Sequence, residues 1–349
     1  MTAADDKPMR PPLRGPVGRV VSWVYGTAVR RRNSRFDQGR GIIRLDRPVI
    51  SVGNLSVGGT GKTPMVVHFC RVLLAAGHDP CIAMRGYRAT PEGVSDEARV
   101  YERELPGVPV IAQPNRADGL IDFFTTERGE GVDSVVLDDG FQHRQLARDL
   151  DIVLIDAMRD PWRDRLLPAG WLREPPESLA RAGAIVITHA EAVPHGTVSE
   201  LLERARVAAP GAVLAACGHA WDCLLTADDI QRPVSALRGR RIAVCCGIGN
   251  PDAFERQAAA AAGGAPVYRL ILRDHDPFAP GTIAALLRGA GSARAEYIVV
   301  TEKDWTKLTH VNPEAWPCPV VRPRLSLTFD RGGRDLESVV LDRVQGQDE

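Results

Sequence analysis

The feature that most constrains this 349-residue sequence is the segment 50–63, which reads ISVGNLSVGGTGKT. A short apolar run leads into a glycine-rich turn, and the residues after the turn have helical spacing. This order of strand, loop and helix is the setting that a Walker A phosphate-binding loop requires. Gly58, Gly59 and Gly61 allow backbone N–H groups to curl around phosphate oxygens. We therefore predict a phosphate-binding loop in an α/β protein.

Each residue of this loop has an expected role in binding ATP and Mg²⁺. Lys62 is expected to reach the β- and γ-phosphates, and the hydroxyl of Thr63 is expected to face Mg²⁺. Ser56 replaces the glycine that usually opens the motif, which is a mild change. The residues predicted to contact the nucleotide are Ser56, Val57, Gly58, Gly59, Thr60, Gly61, Lys62 and Thr63.

Two carboxylates, Asp138 and Asp139, follow an apolar run that begins at Ser134. In a parallel sheet this end of a strand lies beside the phosphate loop. One carboxylate there can hold Mg²⁺, the other can position an attacking hydroxyl, and which does which stays open. The alternative is a solvated Asp-Asp-Gly turn. Gln142 and His143 follow at the same edge of the sheet, which we call the rim. Two alternatives stay open for His143, a contact with substrate and a structural hydrogen bond.

Short apolar runs alternate with helical segments along most of the chain. This alternation predicts an α/β fold, a P-loop-type parallel sheet with helices on both faces, from runs at 49–52, 81–84, 108–112, 134–137, 152–155 and 184–188. A second, smaller α/β unit is predicted from near Leu237, with strands at 241–246, 267–272, 297–301 and near 320. The predicted organisation is a basic N-terminal segment, a P-loop domain and a smaller domain that contributes to a cleft, over 1–40, 41–225 and 235–349, with a linker within 217–233.

Bulk composition argues against several classes of protein. Lys+Arg and Asp+Glu number 44 each, so net charge predicts no strongly charged partner. The seven cysteines form no CxxC pair, which argues against zinc and dithiol redox sites. No apolar stretch approaches the ~18 residues that a membrane-spanning helix needs, and the N-terminus is too polar for a cleavable signal.

The first 45 residues hold ten basic and only three acidic residues. A helix is predicted from Pro16 to the arginines at 30–32, with an apolar face made by Val17, Val20, Val21, Val24, Tyr25 and Ala28. Such a helix can lie in the interface of an anionic membrane. It can equally pack on the first domain and display its arginines to water, and both alternatives stay open.

A set of ordered motifs resembles the tetraacyldisaccharide 4′-kinase family, the lipid A 4′-kinases. The phosphate loop alone is generic, but the ordered set from about residue 45 to residue 325 is specific. The matching segments are SVGNLSVGGTGKTP at 51–64, RGY at 85–87, DE at 96–97, DDGFQH at 138–143, LLPAG at 166–170, REP at 173–175, GIGN at 247–250, DH at 274–275 with Phe278, and TEKD at 301–304.

The resemblance implies a reaction and a place in the cell. The reaction is transfer of the γ-phosphate of ATP, with Mg²⁺, to the 4′-hydroxyl of a tetraacylated, 1-phosphorylated glucosamine disaccharide in lipid A biosynthesis. The lipid disaccharide is the implied partner, and the implied place is the cytosolic face of the inner membrane, where the enzyme is peripheral. Two α/β/α domains with the site in the cleft between them are also implied. We further expect a monomer without a nucleic-acid partner.

The resemblance also assigns residues. It implies a catalytic pair of Asp96 as base and His275 as the residue that orients it and tunes its pKa. Arg116 matches an arginine that could neutralise charge on the transferring phosphate, the alternative being a solvated loop arginine. The catalytic set is completed by Lys62, Asp138 and Asp139, the metal set is Thr63, Asp138 and Asp139, and the residues for the disaccharide head group are Gln142, His143, Arg173 and Glu174.

The sequence departs from the family pattern at three positions. Ser95 and Ala98 flank the Asp96–Glu97 pair where the family usually has Gly and Pro, and Arg88 follows the RGY motif where it usually has Gly. These changes bear on the local backbone more than on the reaction, because the charged side chains are present.

Two other functions remain as alternatives. The first is a membrane-recruited switch ATPase of the partitioning type, and Val57 argues against it because that class carries a lysine there. The second is a kinase for a soluble sugar or cofactor. Transfer of phosphate to lipid separates the kinase from the switch ATPase, and dependence of the rate on a surface separates the lipid kinase from the soluble one.

Overall fold

The computed structural model describes residues 13, 15–86, 96–274 and 276–346, and of Asp96 and Glu97 it describes only the backbone. The strands are β1 Val49–Asn54, β2 Pro80–Met84, β3 Val110–Ala112, β4 Ser134–Asp138, β5 Leu150–Asp156, β6 Ala184–Thr188, β7 Val213–Thr226, β8 Gln231–Arg232, β9 Ile242–Cys246, β10 Tyr268–Ile271, β11 Tyr297–Val300 and β12 Val320–Arg331. The helices are α1 Gly15–Asp37, α2 Lys62–Ala75, α3 Asp96–Glu104, α4 Arg116–Phe124, α5 Glu127–Glu130, α6 His195–Ala208, α7 Pro251–Ala262, α8 Pro280–Ser292, α9 Glu302–Trp305 and α10 Gly333–Gln345.

These strands form one continuous sheet in the order β10-β9-β11-β12-β7-β6-β5-β1-β4-β2-β3, with β8 paired to β7. Every neighbouring pair is parallel except β7 with β12 and β7 with β8. Alternate residues of β1 pack on opposite faces, since Ile50 joins the core beneath α2 whereas Val49 joins the core beneath α4. The predicted α/β class, a mostly parallel sheet covered by helices on both faces, is confirmed.

Most of the segment 217–233, within which a linker was predicted, forms strand, and the position of a linker stays a prediction. Residues up to Thr226 belong to β7, a fourteen-residue strand that pairs with β6 over residues 213–216 and with β12 over residues 216–226. Polar residues such as His219 and Asp222 interrupt its apolar pattern, and its partner β12 lies about 100 residues away in sequence. Local patterning therefore hid this strand, while the domain boundaries at 41–225 and 235–349 stay a prediction.

The site is set by how β1 pairs with β4. Val52 of β1 is in register with Asp138 of β4, so the chain leaves both strands at the same edge of the sheet. The backbones come close there, because a Cβ on Gly53 would lie 2.5 Å from the Cβ of Phe141. The phosphate loop and the acidic pair are therefore neighbours by strand register, as the sequence predicted.

Helix α1 lies on the body of the protein through small residues. Its buried positions are Gly18, Ser22, Gly26 and Val29. The hydroxyl of Ser22 donates to the carbonyl of Leu166 at 2.8 Å. The helix runs on to Asp37 rather than ending at the predicted arginines, because Arg144 pairs with Asp37 at 2.8 Å and donates to the carbonyl of Asn33 at 3.1 Å.

Candidate active site

The phosphate loop connects β1 to α2 and is braced from below. Gly58 and Gly61 have φ values of 125° and 80°, which favour glycine, so the backbone can turn its N–H groups inward. The side chain of Thr60 is 3 % exposed and accepts a hydrogen bond from Asn54 at 3.0 Å. The Thr188 hydroxyl donates to the carbonyl of Thr60, also at 3.0 Å. The loop is therefore shaped before any phosphate binds.

Asp139 is the hub of the charged groups beside the loop. The Nη1 atom of Arg173 donates to both of its carboxylate oxygens, at 2.8 and 2.6 Å, and Lys62 Nζ lies 3.6 Å away. Burial by itself raises the pKa of Asp139, but Lys62 and Arg173 outweigh it and bring the pKa to about 2. Asp139 is therefore ionised at neutral pH and holds two cations at the mouth of the loop.

Asp138 has a different environment. Its side chain is 7 % exposed, and burial raises its pKa to about 6. Its Oδ1 atom is buried without a hydrogen-bond partner. Both Asp138 and Thr63 lie beside the buried hydroxyl of Tyr101. An anionic oxygen that lacks a partner, close to a threonine at the start of α2, is a donor set that fits Mg²⁺.

Within the described part of the chain, no group of three or more His, Cys, Asp or Glu side chains is placed to hold a metal ion by itself. Mg²⁺ ordinarily takes one or two carboxylates together with phosphate oxygens and water. A single free carboxylate oxygen beside the phosphate loop is therefore the arrangement expected for Mg²⁺ that arrives with a nucleotide.

Arg116, Gln142 and His143 lie around the same pair of carboxylates. Arg116 is 3 % exposed and donates to the Asp139 carbonyl at 3.1 Å, so it is not the solvated loop arginine that was the alternative. Gln142 donates to the carbonyl of Asn54 at 2.9 Å. Burial, with Arg116 next in importance, lowers the pKa of His143 to about 4, and its Nε2 atom is buried without a partner. His143 is therefore neutral at physiological pH.

Glu174 lies beneath the rim rather than on it. Its side chain is 1 % exposed, and its Oε2 atom accepts from Asn33 at 2.7 Å and from Arg181 at 3.0 Å. These contacts tie α1 to the segment that carries Arg173. Glu174 as a direct ligand of the head group stays a prediction, and its burial favours an indirect role through α1.

A glycine-containing turn after β9 approaches the loop at Gly249. A Cβ on Gly249 would lie 3.3 Å from the backbone nitrogen of Gly59 and 3.5 Å from the Oδ2 atom of Asp274. Asp304 is fully buried and accepts from the Gly247 N–H at 2.9 Å, which fixes this glycine-containing turn. The turn after β9 therefore lies against the phosphate loop, and Asp274, which follows β10, lies beside that turn.

Only part of the predicted catalytic pair lies among the described residues. Asp96 is the first residue of α3, and its side chain is not among the described ones. His275 lies outside the described residues and follows Asp274 directly. The pairing of Asp96 with His275 therefore stays a prediction, whereas Lys62, Thr63, Arg116, Asp138, Asp139, Gln142, His143 and Arg173 are brought together.

A histidine pair that no sequence motif marks supports the loop. A Cβ on Gly61 would lie 2.8 Å from His219 Nε2, and the rings of His219 and His189 stack with centroids 4.5 Å apart. His189 is held by Asp156 at 3.1 Å, and both ring nitrogens of His219 are buried without a partner. No local motif marks these residues, because they meet only when β5, β6 and β7 align.

Acidification is expected to destabilise the protein through His219. Burial is the main cause, and the neighbouring His189 the second, of a His219 pKa lowered to about 3. Below pH ~6.5, the ordinary pKa of histidine, His219 in the unfolded chain therefore binds a proton that it does not bind in the folded protein. Between pH 7.5 and pH 5 this costs the folded state about 2 kcal/mol. In urea unfolding at both pH values, the difference between wild type and His219→Gln should shift by that amount.

The matched control for this measurement is His310→Gln, because His310 is exposed. Its free energy of unfolding at pH 7.5 should lie within ~0.5 kcal/mol of wild type, because replacing an exposed side chain usually costs little. A His219→Gln difference that does not change between pH 7.5 and pH 5 would contradict the account.

The sequence matches one protein family along almost its whole length. The family model described as tetraacyldisaccharide-1-P 4′-kinase matches residues 16–345. The chain belongs to this family. Tetraacyldisaccharide 4′-kinase of Anaeromyxobacter dehalogenans is 36% identical over 81% of this chain and 79% of its own. That of Geobacter sulfurreducens is 36% identical over 85% of each chain.

A solved structure agrees with the family assignment. The crystal structure of the "apo" form of LpxK from Aquifex aeolicus in complex with ATP superposes with a TM-score of 0.72 at 28% identity. The match covers 93% of this chain and 98% of that one. The predicted membership of the tetraacyldisaccharide 4′-kinase family is thus confirmed by the match to the family model, by the similar relatives and by the similar crystal structure.

Proposed function

We propose that this tetraacyldisaccharide 4′-kinase family member transfers the γ-phosphate of ATP, with Mg²⁺, to the 4′-hydroxyl of tetraacyldisaccharide 1-phosphate in lipid A biosynthesis. The observation that carries the proposal is the acidic pair beside the loop. Asp138 presents a free buried oxygen, and Asp139 holds Lys62 and Arg173. A switch ATPase of the partitioning type has less support, because Val57 stands where that class has a lysine.

The chain's own residues divide the work of phosphoryl transfer. The loop 56–63 binds the triphosphate through its N–H groups, and Lys62 neutralises its terminal phosphates. Mg²⁺, when bound, offsets phosphate charge, and Thr63 with Asp138 would hold it. Asp139 keeps Lys62 and Arg173 oriented towards the phosphates, and Arg116 adds a buried positive charge. These groups act on charge that grows during transfer.

The acceptor end of the reaction rests on Asp96 and His275. A sugar hydroxyl loses its proton only as phosphoryl transfer proceeds, so a carboxylate base close to it is useful. The proposal is supported by the family and by α3, which begins at Asp96, and by the turn that carries Asp274 opposite the loop. Gln142, His143 and Arg173 line the rim on which the disaccharide would lie, with Glu174 beneath them.

Asp96→Ala is expected to lower kcat by ~10²-fold, because a positioned general base contributes on that scale. The dissociation constant for ADP should change little, since the loop 56–63 is untouched. Steady-state phosphorylation and equilibrium ADP binding measure the two quantities. A collapse of ADP affinity with a high residual rate would instead make Asp96 a structural or metal-binding residue.

The proposed function has a direct test. The enzyme is supplied with γ-labelled ATP, Mg²⁺ and the disaccharide 1-phosphate in mixed micelles, and labelled lipid is separated from free phosphate. Label on the lipid at the 4′-position is the expected result. Label that appears only as free phosphate would contradict the kinase assignment and favour the switch ATPase. A rate independent of the micelle surface would favour a soluble acceptor.

The place of action is proposed from helix α1. Within the described part of the chain, no helix combines the length and apolar character that crossing a bilayer takes. The apolar side of α1 faces solvent, with Val20, Trp23 and Val24 exposed by 63%, 68% and 55%. Tryptophan and valine beside several arginines suit the interface of an anionic leaflet. We therefore propose that the enzyme is peripheral on a membrane, at the cytosolic face of the inner membrane that the family implies. A monomeric state without a nucleic-acid partner stays a prediction.

Replacing Trp23 and Val24 with serine together should reduce binding to anionic vesicles by at least ~10-fold, because both side chains lose their transfer from water. Cosedimentation measures this, and activity on micellar substrate should stay near that of wild type. The matched control is Val207→Ser, since Val207 on α6 is 75% exposed. Equal vesicle binding by wild type and the double variant would contradict an interfacial α1.

A further inference from the structure

An additional arginine, Arg159, lies against the phosphate loop itself. Its Nη1 atom is 3.4 Å from the carbonyl oxygen of Val57, and a Cβ on Gly58 would lie 3.1 Å from the same nitrogen. Its guanidinium carbon lies 5.8 Å from the ring centre of Trp171. Trp171 in turn accepts a hydrogen bond from the Val57 N–H at 2.8 Å. The guanidinium is thus held over the loop at Gly58.

The backbone of Arg159 lies in a turn that hydrogen bonds to Asp156 hold in place. Its N–H donates to the carbonyl of Asp156 at 2.9 Å, and the Met158 N–H donates to the Asp156 carboxylate at 3.0 Å. Asp156 ends β5, which pairs directly with β1, the strand that enters the phosphate loop. Arg159 is therefore preorganised by the same sheet edge that shapes the loop.

The environment of the Arg159 guanidinium differs from that of its cationic neighbours. Arg173 and Lys62 both face Asp139, and Arg116 donates to the Asp139 carbonyl. Among the residues that the structure describes, no carboxylate lies within ion-pair distance of Arg159. A guanidinium that is half-buried beside a phosphate loop and lacks an anion has the chemistry to bind a phosphate.

The end of the loop near Arg159 is the end that faces the acceptor. Gly59 follows Gly58 and is the residue that approaches Gly249 of the second unit. Gly249 also lies close to Asp274, which directly precedes His275. Because the acceptor hydroxyl has to meet the terminal phosphate in this cleft, the γ-phosphate belongs at this end, within reach of Arg159.

We propose that Arg159 is a catalytic residue, an arginine supplied in cis that contacts the terminal phosphoryl group and stabilises its charge during transfer. The inference rests on the proposed kinase function. As the acceptor oxygen bonds to the γ-phosphorus, the bond to the bridging oxygen breaks and ADP leaves with that electron pair. The hydroxyl proton passes to the base assigned to Asp96, and Arg159 stays protonated throughout. An arginine in this role accelerates transfer far more than it strengthens nucleotide binding.

The test compares Arg159→Ala, Arg159→Lys and wild type for kcat and for the dissociation constant of ADP. We expect kcat to fall ~10²-fold in Arg159→Ala, with a smaller loss in Arg159→Lys and ADP affinity within about threefold. Added guanidinium ion should restore part of the rate of Arg159→Ala. Arg163→Ala is the matched control, since Arg163 lies in the same segment, is 73% exposed and pairs with Asp160 at 3.2 Å.

Two outcomes would overturn the inference. One is a kcat of Arg159→Ala within threefold of wild type. The other is a parallel loss of kcat and ADP affinity in both variants without guanidinium rescue, which would make Arg159 a support of the loop alone. Failure of wild type to label lipid would speak against the proposed function instead. In that case the rate of slow ATP hydrolysis, measured in the same reactions, still compares the Arg159 variants with wild type.

Discussion

Lys62→Ala is expected to lower kcat by ~10³-fold or more while leaving the fold intact. Lys62 opens α2, its side chain is 15% exposed, and its Nζ lies 3.6 Å from Asp139. Its removal takes away the cation that we propose reaches the terminal phosphates, at the place where the helix N-terminus already favours anions. Single-turnover phosphorylation at saturating ATP measures the loss in the chemical step. Thermal unfolding checks that the variant is folded.

The matched control for Lys62→Ala is Arg71→Ala. Arg71 lies on the same helix and pairs with Glu104 at 2.6 Å, and its side chain is 45% exposed. Loss of a positive charge from α2 outside the site should therefore leave kcat near that of wild type. A near-normal kcat for Lys62→Ala would refute the assignment of the loop 56–63.

Asp138→Asn is expected to lower kcat by ~10³-fold and to raise the Mg²⁺ concentration needed for half-maximal rate. The free Oδ1 atom of Asp138 lies buried near Thr63, and an amide there offers Mg²⁺ no negative charge. Burial raises the Asp138 pKa to about 6, so the carboxylate is mostly ionised at pH 7.5, where the titration with Mg²⁺ is best done.

Asp139→Asn separates the two carboxylates. Asp139 is already engaged by Arg173 and Lys62, so its loss should release these cations and lower kcat with a smaller change in Mg²⁺ dependence. The pair of variants thus assigns the metal to one residue and the positioning of cations to the other. A larger shift in Mg²⁺ dependence for Asp139→Asn than for Asp138→Asn would reverse these assignments.

The helical and strand pattern of the first half was predictable because its determinants are local. The run 49–52 and the helix after it lie in the structure as β1 and α2, shifted by at most two residues at either end. Strand β7 was not predictable in this way. Its stability comes from pairing with β12, and its polar positions face partners far away in sequence.

Helix α1 shows the same division. Its apolar spacing predicted a helix, but the spacing could not say which side would face the protein. The structure buries Gly18, Ser22 and Gly26, because small residues let the helix approach the segment around Leu166, and leaves Trp23 to solvent. The exposed apolar side follows from that packing.

By itself the sequence determined the phosphate loop, the acidic pair beside it and the α/β class, because each depends on a short run of residues with its own backbone and charge requirements. The tertiary structure alone decided which carboxylate is free, that Glu174 is enclosed, and that His219 and Arg159 lie against the loop. These properties depend on burial and on contacts between strands that are remote in the chain. No local pattern of residues encodes such contacts.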